Sequence, residues 1–334
     1  MGMHFAMGKK IRIGIVGYGN LGRGVEAAIM QNADMELVGV FSRRDPASLR
    51  LLQSSVPVRA LDSVGEYQDD IDVLVLCGGS KNDLPEQGPA LAAMFNTVDS
   101  FDTHAKIPEY FQAVNQAAEA GGNTALISVG WDPGLFSLNR LFGEAILPQG
   151  QTYTFWGKGL SQGHSDAIRR VAGVKGAVQY TIPVPEAVDR VRRGELPALS
   201  TRDKHTRDCY VVLEPGVDRE TVKHAIITMP DYFDDYDTSV SFITEEQLKR
   251  DHAAMPHGGF VIRSGTTAKG TAQVIEYSLK LDSNPEFTSS VLVAYARAAF
   301  RLNQQGIAGA KSVYDVAPGL LSPKTAAELR EQLL

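Results

Sequence analysis

The side chains best able to do chemistry fall into a few short, separated groups. Gly17-Tyr18-Gly19-Asn20-Leu21-Gly22 spaces three glycines so that a backbone can turn tightly and pass close to a diphosphate. Ser42-Arg43-Arg44 sets two guanidinium forks where a phosphate could be gripped bidentately. Ser100-Phe101-Asp102 and Gly130-Trp131-Asp132-Pro133-Gly134 each carry one carboxylate able to hold an ammonium or to take its proton. Further on come Trp156, the glycine-rich stretch GKGLSQGHSDAIRR over 157–170, Arg207 and His257. Taken singly, each has a plainer reading. Asp102 suits a turn, and Asp132, before Pro133, suits a helix cap. Trp156 suits core packing with its indole N–H satisfied, His164 a cap region, Arg207 an ion pair and His257 a glycine turn.

No metal chemistry is expected. Cys77 and Cys209 lie in different halves of the chain, with neither a CxxC partner nor a histidine at ligand spacing. So few cysteines also favour a reducing cytoplasm over secretion. The 334 residues carry 33 basic and 39 acidic side chains, a net charge of −6. That length predicts two domains, and the acidic sum argues against a nucleic-acid partner. No apolar run approaches the roughly 20 residues that cross a bilayer, so no membrane association is expected. Residues 1–10 carry their lysines after the apolar part, unlike a signal peptide, and read as a lead-in.

These groups need elements to hold them. Ile11–Val16 is a β-branched run leading into the glycine turn, and a helical pattern follows with Leu21, Val25, Ala28 and Ile29 on one face. Residues 36–41 read as a second strand, 56–61 as a short one, and 71–76 as a strand covered on both faces. Asp45 and Pro46 read as the cap and first position of a helix containing Leu49 and Leu52. Helices are expected over 89–95 and 108–120, and strands over 97–100 and 124–129. This alternation predicts an α/β fold, a Rossmann-type doubly wound parallel sheet, over 9–130. After Trp131, strands at 151–156, 177–183, 206–213, 236–243, 259–263 and 271–281 predict a mixed α+β domain over 131–285. Uneven alternation of Ala272, Val274, Tyr277 and Leu279 predicts a bulge or two-sided burial. An amphipathic helix over 286–306 is expected to pack back on the first domain.

A GxGxxG run alone is a weak signal. Here it follows a strand, opens a helix and lies within a βαβ unit, which is the context of a dinucleotide site. Gly17 would permit the turn, Gly19 the approach of the pyrophosphate and Gly22 the packing of helix on strand. A carboxylate about 20 residues on selects NAD by accepting from the ribose 2′-hydroxyl. Ser42, Arg43 and Arg44 stand there instead and favour the 2′-phosphate of NADP.

Together, VGYGNLGRGVE, FSRR, the Asp102 and Trp131-Asp132 segments, TFWGKGLSQGHSDAIRR, TMPDYF, MPHGG, EYSLKLDSNPEFT and APGLLSP resemble the meso-diaminopimelate dehydrogenase family. The resemblance runs from about Ile11 to Pro323. It implies NADP-dependent, reversible oxidative deamination at the D-centre of meso-2,6-diaminopimelate, giving L-2-amino-6-oxopimelate and ammonia. In reverse this makes a precursor of lysine and of cell-wall cross-links. A homodimer is implied as well, with residues 131–285 serving substrate binding and dimerisation. On matching positions, Tyr18, Gly19, Asn20 and Leu21, with Ser42, Arg43 and Arg44, would hold the NADP phosphates. Cys77, Gly78, Gly79 and Ser80, with Ser100, Phe101, Val129, Gly130, Trp131 and Pro133, would line the nicotinamide side. Asp102 and Asp132 would grip the reacting amino group, with Trp156, Gln162 and Gly163 around the D-centre. Thr181, Arg207 and His257 would bind the distal carboxylate, and Asn284 would support that end.

Two other readings stay open on sequence. One is a broader NADP-dependent D-amino-acid dehydrogenase, marked by comparable activity on simple D-amino acids. The other is a non-catalytic NADP-binding sensor or scaffold, marked by binding without substrate-dependent NADPH formation.

Overall fold

The computed structural model describes residues 9–53 and 55–334, so nearly all of the lead-in expected over 1–10 lies outside the described residues. The chain divides into two compact units, Met1–Leu138 with Pro285–Leu334, and Asn139–Asn284.

Seven parallel strands make the sheet of the first unit. They are β1 (Ile11–Val16), β2 (Met35–Ser42), β3 (Val58–Ala60), β4 (Val73–Leu76), β5 (Thr97–Asp99), β6 (Thr124–Leu126) and the late strand β14 (Gly309–Lys311). Their order is β14-β6-β5-β4-β1-β2-β3. The chain therefore winds outward in one direction through β2 and β3 and in the other from β4. The carboxyl ends of β1 and β4 flank the switch point where such sheets bind ligands. β4 is buried along its whole length, as a strand sandwiched between helices must be.

Helices α1 (Asn20–Met30), α2 (Leu84–Ala92), α3 (Ile107–Gly121) and the long α10 (Asn284–Gln304) clothe this sheet. One core cluster joins Ile13 and Ile15 of β1, Val25 of α1, and Leu292, Tyr295 and Ala299 of α10. The approach of α10 to α1 is close: a Cβ on Gly24 would press on Ser289, whose hydroxyl donates to the Leu21 carbonyl at 2.8 Å. The short C-terminal helix α11 (Ala326–Leu333) also belongs to this unit.

Several boundaries differ from the sequence reading, each for a local reason. The segment after Asp45 is one 3₁₀ turn, Pro46–Ser48, capped by the Asp45 carboxylate on the Ala47 N–H at 3.0 Å. It stops there because the Leu52 and Gln53 N–H groups are taken by Glu26. α2 starts at Leu84, five residues before the expected 89, and simply forgoes one backbone bond at Pro89. β6 ends at Leu126, because Ser128 adopts a left-handed φ of 56° that no strand can contain. The division falls at 138/139 instead of 130/131. Leu135 and Phe136 bond back to Gly130 and Trp131, and Leu135 and Leu138 pack on the first unit's core. α4 (Leu135–Ile146) thus begins in one unit and ends in the other.

The second unit holds two sheets. β7 (Gly150–Trp156), β12 (His257–Ala268) and β13 (Thr271–Leu281) form an antiparallel three-stranded sheet in the order β13-β12-β7. β8 (Gly159–Leu160), β9 (Val174–Pro183), β10 (His205–Leu213) and β11 (Asp237–Phe242) form a mixed one in the order β11-β10-β9-β8. Helices α5 (Gln162–Arg169), α6 (Pro185–Arg192), α7 (Thr201–Lys204), α8 (Arg219–Ile227) and α9 (Glu245–Asp251) complete it. One core gathers Ile168, Cys209, Val211, Val222 and Phe233, and another Tyr153, Phe155, Val191 and Ile262. The bulge or two-sided burial expected in β13 is not found: its residues from Ala272 to Leu281 pair in unbroken register and are mostly exposed, and the one slip lies in β12, between Thr266 and Ala268 at the hairpin end. β12 also runs well beyond the expected 259–263.

Among the described residues, no group of His, Cys, Asp or Glu could hold a metal ion. No helix among them is long and apolar enough to cross a membrane.

Candidate active site

The cofactor end is built where β1 turns into α1. Gly17 sits at φ 87°, and a Cβ there would press on the Cys77 backbone at 3.3 Å. A Cβ on Gly22 would overlap the Gly17 carbonyl oxygen, so helix and turn can approach only without one. Gly19 has nothing within 4 Å of where its Cβ would lie, which leaves an open path for a bulky anion. It also caps α1 without any side chain, so no cap side chain competes for the helix's first N–H groups. A cleft of about 420 Å³ opens here, lined by Gly17, Tyr18, Gly19, Ser42, Arg43, Arg44, Cys77 and Gly78 among others. Glycine backbone, a helix N-terminus and two arginines make a donor set that fits a dinucleotide diphosphate and an extra phosphate.

The details were only partly foreseeable. Arg44 is tied to the turn itself, its guanidinium donating to the Tyr18 carbonyl and its N–H to the Ser42 hydroxyl at 3.0 Å. Arg43 pairs at 2.7 Å with Asp83, whose other oxygen accepts the Gly79 N–H at 2.8 Å. The Tyr18 hydroxyl donates to Glu26, a fully buried carboxylate on α1. Burial, then the bond to Glu26, pushes the Tyr18 phenol up to about 12. Glu26 also accepts the Leu52 and Gln53 N–H groups at 3.0 and 3.1 Å, pinning the segment that follows the arginines. Glu26 closes the run VGYGNLGRGVE without a role of its own being legible there, Asp83 belongs to no motif, and the sequence reading assigned neither.

Asp102 is exposed just past β5, and its N–H donates to the Ser80 hydroxyl at 3.1 Å. This bond links the 77–80 loop to the 100–102 loop. Asp132 lies in a turn closed by a bridge between Trp131 and Gly134, and a Cβ on Gly134 would overlap the Gly130 carbonyl. α4 begins at Leu135, three residues past Asp132. Trp131 is buried edge-on to Phe136, with centroids 5.2 Å apart. Ser100, Phe101, Val129, Gly130 and Pro133 sit at the same strand ends.

In the second unit, Gly159 of β8, Thr181 of β9 and Arg207 of β10 stand in one row across the mixed sheet. Arg207 is 6% exposed, donates to the Thr181 hydroxyl and lies 3.8 Å over the ring of Tyr236. Its Nε has no hydrogen-bond partner and no carboxylate among the described residues pairs with it, so the ion-pair reading fails. Burial lowers its pKa, the mark of a cation short of a counter-charge. A Cβ on Gly159 would overlap the ring of His257, so this imidazole packs against the same row. The Gly258 N–H lies 2.8 Å from His257 Nδ1 and donates to it.

Trp156 is 38% exposed at the end of β7, not packed into the core as its plainer reading expected. Its backbone N–H donates to Nε2 of the buried His205 at 2.8 Å, and the two rings lie 5.4 Å apart at 25°. Burial, helped by Arg207, pushes His205 down to about 3, so it stays the neutral acceptor that this bond requires. Gln162 and Gly163 are exposed at the start of α5, with the Gln162 amide reaching the Met255 sulfur at 3.1 Å. The Asn284 N–H donates to the Met255 carbonyl at 2.9 Å. His164 is a cap-region residue, with Nδ1 2.8 Å from the Ser161 hydroxyl that caps α5. Tyr236 and His205 carried no sequence signal.

Residues 130–283 match the family model described as the diaminopimelic acid dehydrogenase C-terminal domain. The chain is also 68% identical to the meso-diaminopimelate D-dehydrogenase of Ureibacillus thermosphaericus, over 97% of this chain and 99% of that one. It belongs to the meso-diaminopimelate dehydrogenase family. The fold is that of the diaminopimelate dehydrogenases, a Rossmann-like domain followed by mixed sheets. The diaminopimelate dehydrogenase of C. glutamicum, solved in complex with DAP, is 49% identical with a TM-score of 0.90, covering 98% of this chain and 100% of that one. An engineered D-amino acid dehydrogenase bound to NADP⁺ is 48% identical with a TM-score of 0.85 at the same coverage.

Proposed function

We propose that this chain catalyses the reversible, NADP-dependent oxidative deamination of meso-2,6-diaminopimelate at its D-centre, giving L-2-amino-6-oxopimelate and ammonia. Arg207 carries the substrate assignment. A guanidinium this buried, with no carboxylate beside it, is stable only with an anion to come, and the distal carboxylate of the substrate supplies one. Thr181, which accepts from Arg207, His257 and Asn284 are assigned to the same L-end.

Gly17 to Gly22 would hold the diphosphate of NADP, and Ser42, Arg43 and Arg44 its 2′-phosphate. Bound there, NADP⁺ supplies the acceptor for a hydride. Hydride can leave the D-carbon only when the neighbouring nitrogen offers a lone pair, so the substrate ammonium must first lose a proton. Asp102 and Asp132 are the carboxylates assigned to hold that ammonium and draw off the proton. The resulting imine adds water and releases ammonia. Trp156, with Gln162 and Gly163, is assigned to the D-centre, its place set by His205. The loops over 77–80, 100–101 and 129–133 would fix the nicotinamide so that hydride moves to one face.

Telling the meso compound from its LL and DD isomers needs both ends recognised at once. A wrong isomer leaves buried polar groups unpaired, which makes the discrimination large. A cytoplasmic homodimer is part of this proposal. Exposed Leu141, Phe142 and Ile146 on α4 support the dimer, and two unpaired cysteines support the compartment. Labelling tests the chemistry. Deuterium at the D-centre should appear in NADPH and slow the reaction, whereas deuterium at the L-centre should do neither. Label arriving from the L-centre would overturn the assignment.

A further inference from the structure

β5 and β6 both end at the edge where the two proposed catalytic carboxylates stand. A third carboxylate, Asp99, lies between these strand ends and is 1% exposed. Its Oδ1 accepts the Phe101 N–H at 2.9 Å and the Ser128 N–H at 3.1 Å. Its Oδ2 accepts the Tyr110 hydroxyl at 2.6 Å, and its backbone carbonyl accepts the Val129 N–H at 2.8 Å. One residue thus fastens the loop that carries Asp102 to the loop that leads into Asp132.

The phenol that completes this network is itself held in place. The Tyr110 ring stacks on Phe101 with centroids 4.1 Å apart, and a Cβ on Gly88 would overlap the Tyr110 hydroxyl. An inert brace would not need such an arrangement. No cation among the described residues pairs with Asp99, and burial pushes its carboxyl up to about 6 against its three hydrogen bonds. Ser128 is kept at φ 56° with its hydroxyl buried and unpartnered. Strain and unmet polar groups of this kind gather where a site needs one fixed geometry.

We propose that Asp99 is a positioning residue of the reaction, its carboxylate holding the 100–102 and 128–132 loops in fixed register so that Asp102 and Asp132 act on one amine. This rests on the assignment of those two aspartates. The test measures kcat, KM for meso-2,6-diaminopimelate, the NADPH dissociation constant and the circular dichroism spectrum of each variant. Asp99→Asn keeps an oxygen able to accept both backbone N–H groups and should hold kcat within about 3-fold. Asp99→Leu removes both acceptors and should lower kcat about 100-fold, the scale of an ångström misplacement, with NADPH affinity within about 5-fold. Tyr110→Phe frees only Oδ2 and should lower kcat about 5-fold.

A folded Asp99→Leu with kcat near wild type would overturn the proposal, as would equal losses in kcat and NADPH affinity. If Asp99→Leu does not fold, Tyr110→Phe decides, and an unchanged kcat there overturns it. Asp102→Asn and Asp132→Asn run alongside. If both keep wild-type kcat, the carboxylate assignment fails. If they lose it while Asp99→Leu does not, the positioning claim alone fails.

Discussion

Replacing Arg207 by Met should weaken catalysis and at the same time leave the folded chain no less stable. The side chain is 6% exposed, has an unpartnered Nε, and is held by the Thr181 hydroxyl and the Tyr236 ring. Its charge is desolvated before any substrate arrives, and burial lowers its pKa accordingly. Removing one partner of such a buried charge pair costs about 3–5 kcal/mol, which is a loss of about 10²·²–10³·⁷ in kcat/KM for diaminopimelate. Thr181 keeps a weak neighbour in the Gln179 amide at 3.5 Å, so little is orphaned by the change. Exchanging a buried, unpaired cation for an apolar chain should be neutral or stabilising by about 1–4 kcal/mol in the absence of substrate. NADPH binding, followed by nucleotide fluorescence, should stay within about 2-fold, because the residues that line the cofactor cleft all belong to the first unit. Thermal unfolding without substrate reads the second half. Equal losses for diaminopimelate and NADPH, or a clear fall in melting temperature with unchanged kinetics, would refute the reasoning.

Other positions give further tests. Arg44→Ala should raise KM for NADP about 10–100-fold, the worth of a charge-assisted bond, and change the dissociation constant of NAD less than about 3-fold; parallel changes would place Arg44 off the 2′-phosphate. Gly22→Ala puts a Cβ on the Gly17 carbonyl oxygen and should cost about 1–3 kcal/mol in denaturant unfolding and most NADP affinity, whereas wild-type stability and affinity would contradict the packing. Asp99, pushed up to about 6, keeps its proton in the folded state between about pH 4 and 6, where the unfolded chain has released its own. Its contribution to stability is therefore full below about pH 4 and lost as pH rises through 6. It amounts to about 1.4 kcal/mol between pH 5 and 7.5. Guanidinium unfolding at those two pH values should show this loss in the wild type and not in Asp99→Asn; identical slopes would contradict it.

What the sequence made legible is what local chemistry decides. Gly17, Gly19 and Gly22 act within one strand–turn–helix, so their spacing announces their roles, and the Ser42-Arg43-Arg44 corner follows at the end of the next strand. The helix expected from Leu49 and Leu52 fails because a distant carboxylate, Glu26, claims the Leu52 N–H. β6 stops early because Asp99, on the neighbouring strand, takes the Ser128 N–H while Ser128 turns left-handed. His205, Tyr236 and Asp99 carry no motif, since each gains meaning only from a partner on another strand or helix. Arg207 was read as either an ion pair or a ligand, and only its burial without a counter-ion separates the two.

The reaction itself is tested most directly by the rate of NADPH formation with meso-, LL- and DD-2,6-diaminopimelate, each supplied with NADP⁺ or NAD⁺. Rapid turnover is expected only for the meso isomer with NADP⁺, with the other isomers slower by about 10³-fold or more. Activity confined to NAD⁺, or equal rates on all three isomers, would contradict it.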